Sequence, residues 1–273
     1  MAKKILVTGA AGFIGSHLCE YLLEKEPKTE IIGLDNFLTG KKENLKTFEN
    51  HSRFTFLKHD IIKPLKLTDL TQIYNLASPA SPVQYQKYGI ETMLANSLGV
   101  KNLLDLAVKN KAVFLQASTS EVYGDPLEHP QKESYWGHVN PVGVRGCYDE
   151  SKRFAEAITM AYHRVHSLDT KIVRIFNTYG PKMRHYDGRV VPNFIFCALN
   201  NKPLTVCGKG QQTRSFCYID DLVEGIYRLM ISKINEPVNL GNPDEFTIMQ
   251  LAKLVLKISG SRSKIVFKPL PED

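Results

Sequence analysis

The sequence has no long apolar run, no paired-cysteine pattern and no block of like charge, and each absence removes a class of protein. None of its apolar stretches approaches the roughly 20 residues needed to span a bilayer. The opening "MAKKILVTG" passes straight into a strand-like pattern, with no small-residue cleavage site, so neither a signal peptide nor an anchor is expected. The five cysteines (Cys19, Cys147, Cys197, Cys207 and Cys217) are odd in number and form no C-x-x-C. Reduced thiols in a cytoplasmic protein are therefore expected. His163 and His166 lie three apart in "HRVH" without a nearby carboxylate or thiol to complete a metal site, and no metal is expected.

Basic runs stop at "KK" and no aromatic–basic RNA motif occurs, so the net charge of +7 does not read as a nucleic-acid surface. It fits a solvated basic surface or attraction of a phosphorylated small ligand. With 43% hydrophobic and 23% charged residues in 273, disorder and collagen-like repeats are excluded, and one large α/β unit with ample core is allowed.

What is present is alternation. A short, fully apolar strand at Ile5–Val7 precedes an amphipathic stretch from Phe13 to Lys25. "EIIGLD", "RFTFLKHD", "QIYNLAS", "AVFLQASTS" and "TKIVRIFN" follow, mostly separated by helical stretches. This order predicts an α/β fold with a doubly wound parallel sheet, a dinucleotide-binding Rossmann arrangement. After Asn177 prolines and glycines loosen the pattern, which predicts a smaller C-terminal lobe. The expected division is a main domain over 1–176 with an interleaved return near 215–243, where "PVNLGN" rejoins the sheet. The lobe takes 177–214 and 244–273. Ligands of such sheets sit at the carboxyl ends of the strands.

The first strand ends in "TGAAGFIG". Gly9, Gly12 and Gly15 follow a strand and open a helix, the context in which glycines let the backbone approach a pyrophosphate. Asp35 closes the next strand, 20 residues after Gly15. A carboxylate there accepts from a ribose hydroxyl and repels a 2′-phosphate, which favours NAD over NADP. A phosphate-binding P-loop is excluded, because "GKK" at Gly40 would need glycine where Asp35 stands. The fifth strand ends in "ASTSEVYG", where the hydroxyls of Ser118, Thr119 and Ser120 precede Glu121. A hydroxyl there can bond a substrate hydroxyl, and Glu121 can act on a nearby proton.

Tyrosine and lysine stand four apart twice, as Tyr21/Lys25 and Tyr148/Lys152. The spacing alone gives each pair one helix face. The first copy lies inside the helix behind the glycine turn, where Tyr21 is expected to pack and Lys25 to be solvated. The second begins a helix (Tyr148 to His166) after the hydroxyl-bearing strand end. An ammonium beside a phenol favours the phenolate, so Tyr148 is expected to have a lowered pKa and to serve as a general base.

Together "TGAAGFIG", "STSEVYG" and Tyr148-x-x-x-Lys152 resemble the extended short-chain dehydrogenase/reductase superfamily. "LDNFLTGKKENL", "LASPASPVQYQ", the segment from Ser118 to Arg153, "RIFNTYGP", "DGRVVPNF", "QTRSFCYIDDLVEG" and "PVNLGNPDEFT" narrow the resemblance to the UDP-glucuronate decarboxylase (UDP-xylose synthase) family, over nearly the whole chain. The resemblance implies an NAD-dependent carboxy-lyase acting on a UDP-uronic acid through a 4-keto intermediate, with NAD regenerated. It implies that Thr119 and Tyr148 contact the sugar C4 hydroxyl, that Lys152 supports Tyr148 and the nicotinamide ribose, and that Glu121 lies near C5 and C6. Ser120, Asn177, Arg189, Val190, Val191 and Arg214 fall to the substrate. Phe13, Ile14, Asn36, Thr39, Gly40, Asp60, Ile61, Leu76, Ala77, Ser118 and Thr178 join the glycines, Asp35, Tyr148 and Lys152 at the cofactor. It further implies a homodimer through "GIETMLANSLGVKNLLDLAVK" and "FAEAITMAYHRVH".

Three departures stand out. Ser151 replaces the usual glycine of "YDEGK". Leu94 stands where a lysine near the substrate carboxylate is expected. The sequence stops at "PLPED", short of an arginine that reaches the substrate, so a truncated C-terminus is expected. The rival readings are a nucleotide-sugar 4,6-dehydratase, which normally carries Asp-Glu after the threonine, a C4 epimerase, which usually lacks the glutamate, and a non-enzymatic NAD-binding regulator.

Overall fold

The computed structural model describes residues 3–269. Residues 270–273, on which the expectation of a truncated C-terminus falls, lie outside them.

In chain order the main elements are β1 (Lys3–Thr8), α1 (Phe13–Lys25), β2 (Thr29–Asp35), β3 (Phe54–Lys58), β4 (Leu70–Asn75), α2 (Pro82–Lys87), α3 (Gly89–Leu94), α4 (Val100–Asn110), β5 (Val113–Thr119), α5 (Gly146–His166) and β6 (Thr170–Ile175). There follow β7 (Thr178–Tyr179), α6 (Val190–Leu199), β8 (Leu204–Cys207), β9 (Thr213–Ser215), β10 (Cys217–Tyr218), α7 (Ile219–Met230), β11 (Pro237–Leu240), β12 (Glu245–Thr247), α8 (Ile248–Ser259) and β13 (Ile265–Lys268).

Seven strands form one parallel sheet in the order β3-β2-β1-β4-β5-β6-β11. β1 is buried from Ile5 to Thr8, as a strand covered on both faces must be. One face packs under α1 and α7, with Leu18, Leu22, Leu222 and Ile226 in its core. The other packs under α4 and α5, with Leu103, Leu104, Ala107 and Ala155. "PVNLGN" does return to the sheet: β11 pairs with β6 from Pro237↔Ile172 to Leu240↔Ile175. A third core, of Val191, Phe194, Leu204, Val206, Ile248 and Leu251, forms between α6, α8 and β8. The short pairs β7–β10, β8–β13 and β9–β12 lie outside the large sheet.

The strand order reverses direction between β1 and β4. A crevice must open there, because the connections leave to opposite sides. A buried polar chain fixes its floor. Thr8 donates to Asn75 at 2.7 Å, Asn75 to Gln116 at 2.8 Å, and Gln116 to the Ala117 carbonyl at 2.9 Å.

Two elements differ from the sequence-based expectation. The helix of Tyr148 starts two residues earlier, at Gly146, because the preceding turn winds into it: Gly146 N–H donates to Gly143 O at 2.9 Å and Tyr148 N–H to Arg145 O at 2.9 Å. The single expected helix through "GIETMLANSLGVK" is α3 and α4 joined by a π turn at Ala95–Gly99. Such turns insert one residue into the helical ladder and re-aim side chains, often beside functional sites. Here the turn aims the Asn96 amide at Ser78 (2.9 Å) and Ser151 (3.1 Å).

Candidate active site

At the β1/β4 reversal a cavity of about 720 Å³ opens, within the usual range for a small-molecule site. A smaller one of about 160 Å³ adjoins it, sharing Gly9, Gly12, Thr39 and Leu76.

The glycine turn forms the shared wall. Gly9 has φ +71°, and a Cβ there would stand 2.7 Å from the Leu76 carbonyl oxygen; a Cβ on Gly15 would stand 2.1 Å from Gly9 O. Neither position tolerates a side chain. No side chain caps α1 at Gly12, so the first-turn amides of Phe13, Ile14 and Gly15 face the large cavity, an arrangement suited to a diphosphate.

Asp35 lies at the other wall, in the smaller cavity with Asn36, Asp60, Ile61 and Ala77. Its carboxylate accepts from Ala11 N–H at 3.0 Å and Phe37 N–H at 2.7 Å, fastening the glycine turn to β2. Burial pushes its pKa up, against these backbone hydrogen bonds. Gly40 lines neither cavity. A Cβ on it would come within 2.8 Å of both Asp35 oxygens, so it gives Asp35 room.

The catalytic candidates meet at the far end of the large cavity, which Thr119, Ser120, Glu121, Tyr148 and Lys152 all line. Lys152 is buried and donates to the Ala117 carbonyl at 2.8 Å, the end of the polar chain from Thr8. Its ammonium stands 5.8 Å from the Tyr148 ring centre. Burial pushes Lys152 down to about 7, with the Glu156 carboxylate opposing.

The expected lowering of Tyr148 is not what the site produces. Burial pushes the phenol up to about 12, more than the Thr119 hydrogen bond and the Arg189 charge bring it down, while Tyr85 and Asp149 add to the rise. Desolvation of the buried phenol is the largest influence, and it outweighs the lowering by Thr119 and Arg189. Ser118, expected at the cofactor, lines the cavity but donates its hydroxyl to Glu156 at 2.5 Å. Glu156 is in turn forked by Arg174, at 3.0 and 2.7 Å.

The control pair behaves as a surface pair. The Tyr21 hydroxyl donates to Glu224, Lys25 is exposed, and burial together with Glu224 pushes Tyr21 up to about 12.

Asn177, Thr178, Arg189, Val190, Val191 and Arg214 line the same cavity, on the side of α6 and β9. Leu94 does not. It lies in the smaller cavity with Asp35 and Glu91.

Several cavity residues were given no role by the sequence motifs. Arg145 pairs with Glu121 and hydrogen-bonds Tyr85, whose ring stacks on Tyr148 at 4.7 Å and 5°. Arg145 stands at i−3 from Tyr148, and helical spacing could have found it; nothing in "SPVQYQ" singles out Tyr85. Lys182 and Arg184 also line the cavity from a segment with no motif, and Asp187, which opens "DGRVVPNF", lines it too. In all, six basic side chains face two acidic ones among the described lining residues.

A continuous match over residues 5–241 places the chain with a known group of enzymes. The chain belongs to the NAD dependent epimerase/dehydratase family, and NAD is its cofactor. The uncapped helix, the glycine cradle and Asp35 fit that cofactor in this structure. The chain is 52% identical over 270 residues to UDP-glucuronic acid decarboxylase 4 of Arabidopsis thaliana, covering 99% of itself and 60% of that protein. It is 54% identical over 255 residues to UDP-glucuronic acid decarboxylase 6 of the same plant, covering 93% and 74%. It thus spans from three fifths to three quarters of these relatives. Among solved structures, a mutant UDP-glucuronic acid 4-epimerase from Bacillus cereus, in complex with UDP-4-deoxy-4-fluoro-glucuronic acid and NAD, superposes with TM-score 0.87 at 32% identity, over 99% of this chain and 88% of the other.

Proposed function

We propose that the chain decarboxylates a UDP-uronic acid, UDP-glucuronate to UDP-xylose, through a 4-keto intermediate. The observation that carries this reading is the joint presence of Thr119, Glu121, Tyr148 and Lys152 at one end of a cavity whose lining is strongly cationic, matching a substrate with a diphosphate and a carboxylate. The decarboxylase relatives support it.

When bound, NAD would supply reversible hydride transfer at the sugar's C4. Once ionised, Tyr148 takes the proton from O4, with Thr119 hydrogen-bonded to the same phenol oxygen. Lys152, poised near 7, supplies charge when the phenol ionises. The resulting ketone lies β to the C6 carboxylate, so the C5–C6 electron pair can move into the C4–C5 bond as carbon dioxide leaves. C5 is then protonated at the Glu121 end. Tyr148 returns its proton to O4 and the site is restored. Gly9, Gly12, Gly15, Asp35 and the smaller cavity hold the cofactor, and Asn177, Arg189–Val191 and Arg214 hold the uridine diphosphate. The part of the lobe at 177–214 carries all of that second set and forms the substrate side.

Incubation of pure protein with UDP-glucuronate tests the reading: carbon dioxide and a UDP-pentose are expected by mass. A product of unchanged mass and inverted C4 would make it an epimerase instead. A homodimer is also proposed, from exposed apolar residues on α3 and α5, and residence in the cytoplasm, from five free thiols. No helix among the described residues is long and apolar enough to cross a membrane.

A further inference from the structure

Three consecutive residues at the end of β5 are bonded to three successive turns of α5. The Ala117 carbonyl accepts from Lys152 at 2.8 Å, the Ser118 hydroxyl donates to Glu156 at 2.5 Å, and the Thr119 hydroxyl is hydrogen-bonded to the Tyr148 phenol. Tyr148, Lys152 and Glu156 stand four apart on α5 and so share one face. The first two line the large cavity, whereas Glu156 lines neither cavity. Whatever Glu156 does for the reaction, it does through Ser118.

Glu156 is itself held. Arg174 on β6 stands beside Ser118 in the parallel register and forks the carboxylate, with Nε at 3.0 Å and Nη2 at 2.7 Å. Its Nη1 donates to the Tyr123 phenol at 2.9 Å and to the Glu133 carbonyl at 3.0 Å. Tyr123 in turn donates to Asn239 on β11 at 2.8 Å. The Arg174 and Glu156 side chains are only 11% and 12% exposed, and Ser118 is buried.

An ion pair so placed gives back in attraction little more than its desolvation cost, and apolar side chains of like volume would stabilise the fold as well. What it supplies, and apolar contact does not, is direction. A forked guanidinium fixes the plane of the carboxylate, and the Oε1 atom that Ser118 reaches is one of the two oxygens so fixed. A slip of the β5 end against α5 would move Thr119 from the Tyr148 phenol and the Ala117 carbonyl from Lys152 together. Misplacement of reacting groups by about 1 Å costs on the order of a hundredfold in rate.

We propose that Glu156 is a positioning residue for the catalytic pair: fixed by Arg174, it holds Ser118 and thereby sets the alignment of Thr119 and Ala117 with Tyr148 and Lys152. The proposal rests on the roles given to Tyr148 and Lys152 and on UDP-glucuronate as the substrate.

Steady-state kinetics of the NAD-loaded protein with UDP-glucuronate, read as carbon dioxide release, test it. Ser118→Ala removes the hydroxyl and leaves the Glu156–Arg174 pair whole. It should lower kcat by about tenfold or more, the scale of one hydrogen bond to a charged group, while KM and NAD affinity stay within about threefold of the parent's. Glu156→Gln should lower kcat at least as far. The double variant should be no slower than Glu156→Gln alone, because both changes break the same interaction. If Glu156→Gln does not fold around an unpaired Arg174, Ser118→Ala decides alone, with melting temperature as the folding check. The proposal is overturned by a Ser118→Ala protein with the parent's kcat, or by single losses that multiply in the double variant. It is also overturned if kcat, KM and NAD affinity all worsen together, which marks a merely structural role. A parent that does not turn over UDP-glucuronate overturns the substrate reading itself, and the proposal with it.

Discussion

Tyr148 and Lys152 have moved their proton affinities in opposite directions. The phenol stands at about 12 and the ammonium at about 7, both through burial. Tyr148→Phe removes one oxygen and little volume, so folding and NAD binding should survive while turnover falls by roughly 10²–10⁴; Tyr21→Phe should leave turnover nearly unchanged. Full decarboxylation by Tyr148→Phe would refute the role given to the phenol. Lys152 makes a second, thermodynamic prediction. Its pKa is about 7 in the folded chain, against 10.5 for a free lysine. Below pH 7 the folded chain must keep a buried ammonium, at full cost. Between about 7 and 10.5 the unfolded chain binds the proton and the folded chain does not, so stability rises with pH, and above that window the cost is gone. Lys152→Met should therefore be more stable than wild type at pH 6.5, by an amount on the order of a few kcal/mol, and the gap should shrink by pH 9.5. Thermal melts of the ligand-free protein at the two pH values check the sign. Much of this residue set was legible: Thr119, Glu121, Tyr148 and Lys152 stand in motifs at strand and helix ends. The direction of the Tyr148 shift was not, because sequence spacing shows the lysine and hides how dry the pocket is.

At the scale of elements, the alternating apolar runs gave away all seven strands of the large sheet, including the late return at β11. The π turn at Ala95–Gly99 was invisible, since an inserted residue leaves no change in composition. It depends on tertiary partners, and one of them is Ser151, the position where the resemblance expects glycine. The Ser151 hydroxyl accepts from Asn96 and donates to the Tyr148 carbonyl at 2.9 Å, joining the π turn to the turn of α5 that carries Tyr148. Ser151→Gly removes that link and adds a glycine to a helix interior. The expected loss is about 1–2 kcal/mol, from helix propensity and one hydrogen bond, read as a lower denaturation midpoint with an unchanged slope. Asp35 likewise acts on an element, tying the glycine turn to β2. Asp35→Ala should weaken NAD binding about tenfold or more and narrow its advantage over NADP, and tighter binding of NADP than NAD by the wild type would contradict the role given to Asp35.

At the scale of the whole molecule, one face of the main domain is more apolar than a solitary surface needs. Ile90 (75% exposed), Met93 and Leu98 project from α3 and the π turn, and Phe154 and Val165 (75%) project from α5. α3 and the π turn pack against α5. The Tyr162 hydroxyl donates to Asp105 at 2.5 Å and links α5 to α4. Exposed apolar area of this kind marks an interface, and two copies meeting on the same face about a two-fold axis is the commonest closed arrangement. Because α5 carries Tyr148 and Lys152 on its inner face, such contact would stiffen the catalytic helix from behind. Phe154→Glu places a charge in the middle of that face without touching the cavity. Light scattering after size exclusion at micromolar concentration should give a dimer mass for the wild type and a monomer mass for Phe154→Glu. A wild-type monomer under those conditions removes the dimer, and an unchanged dimer mass for Phe154→Glu moves the interface to another face.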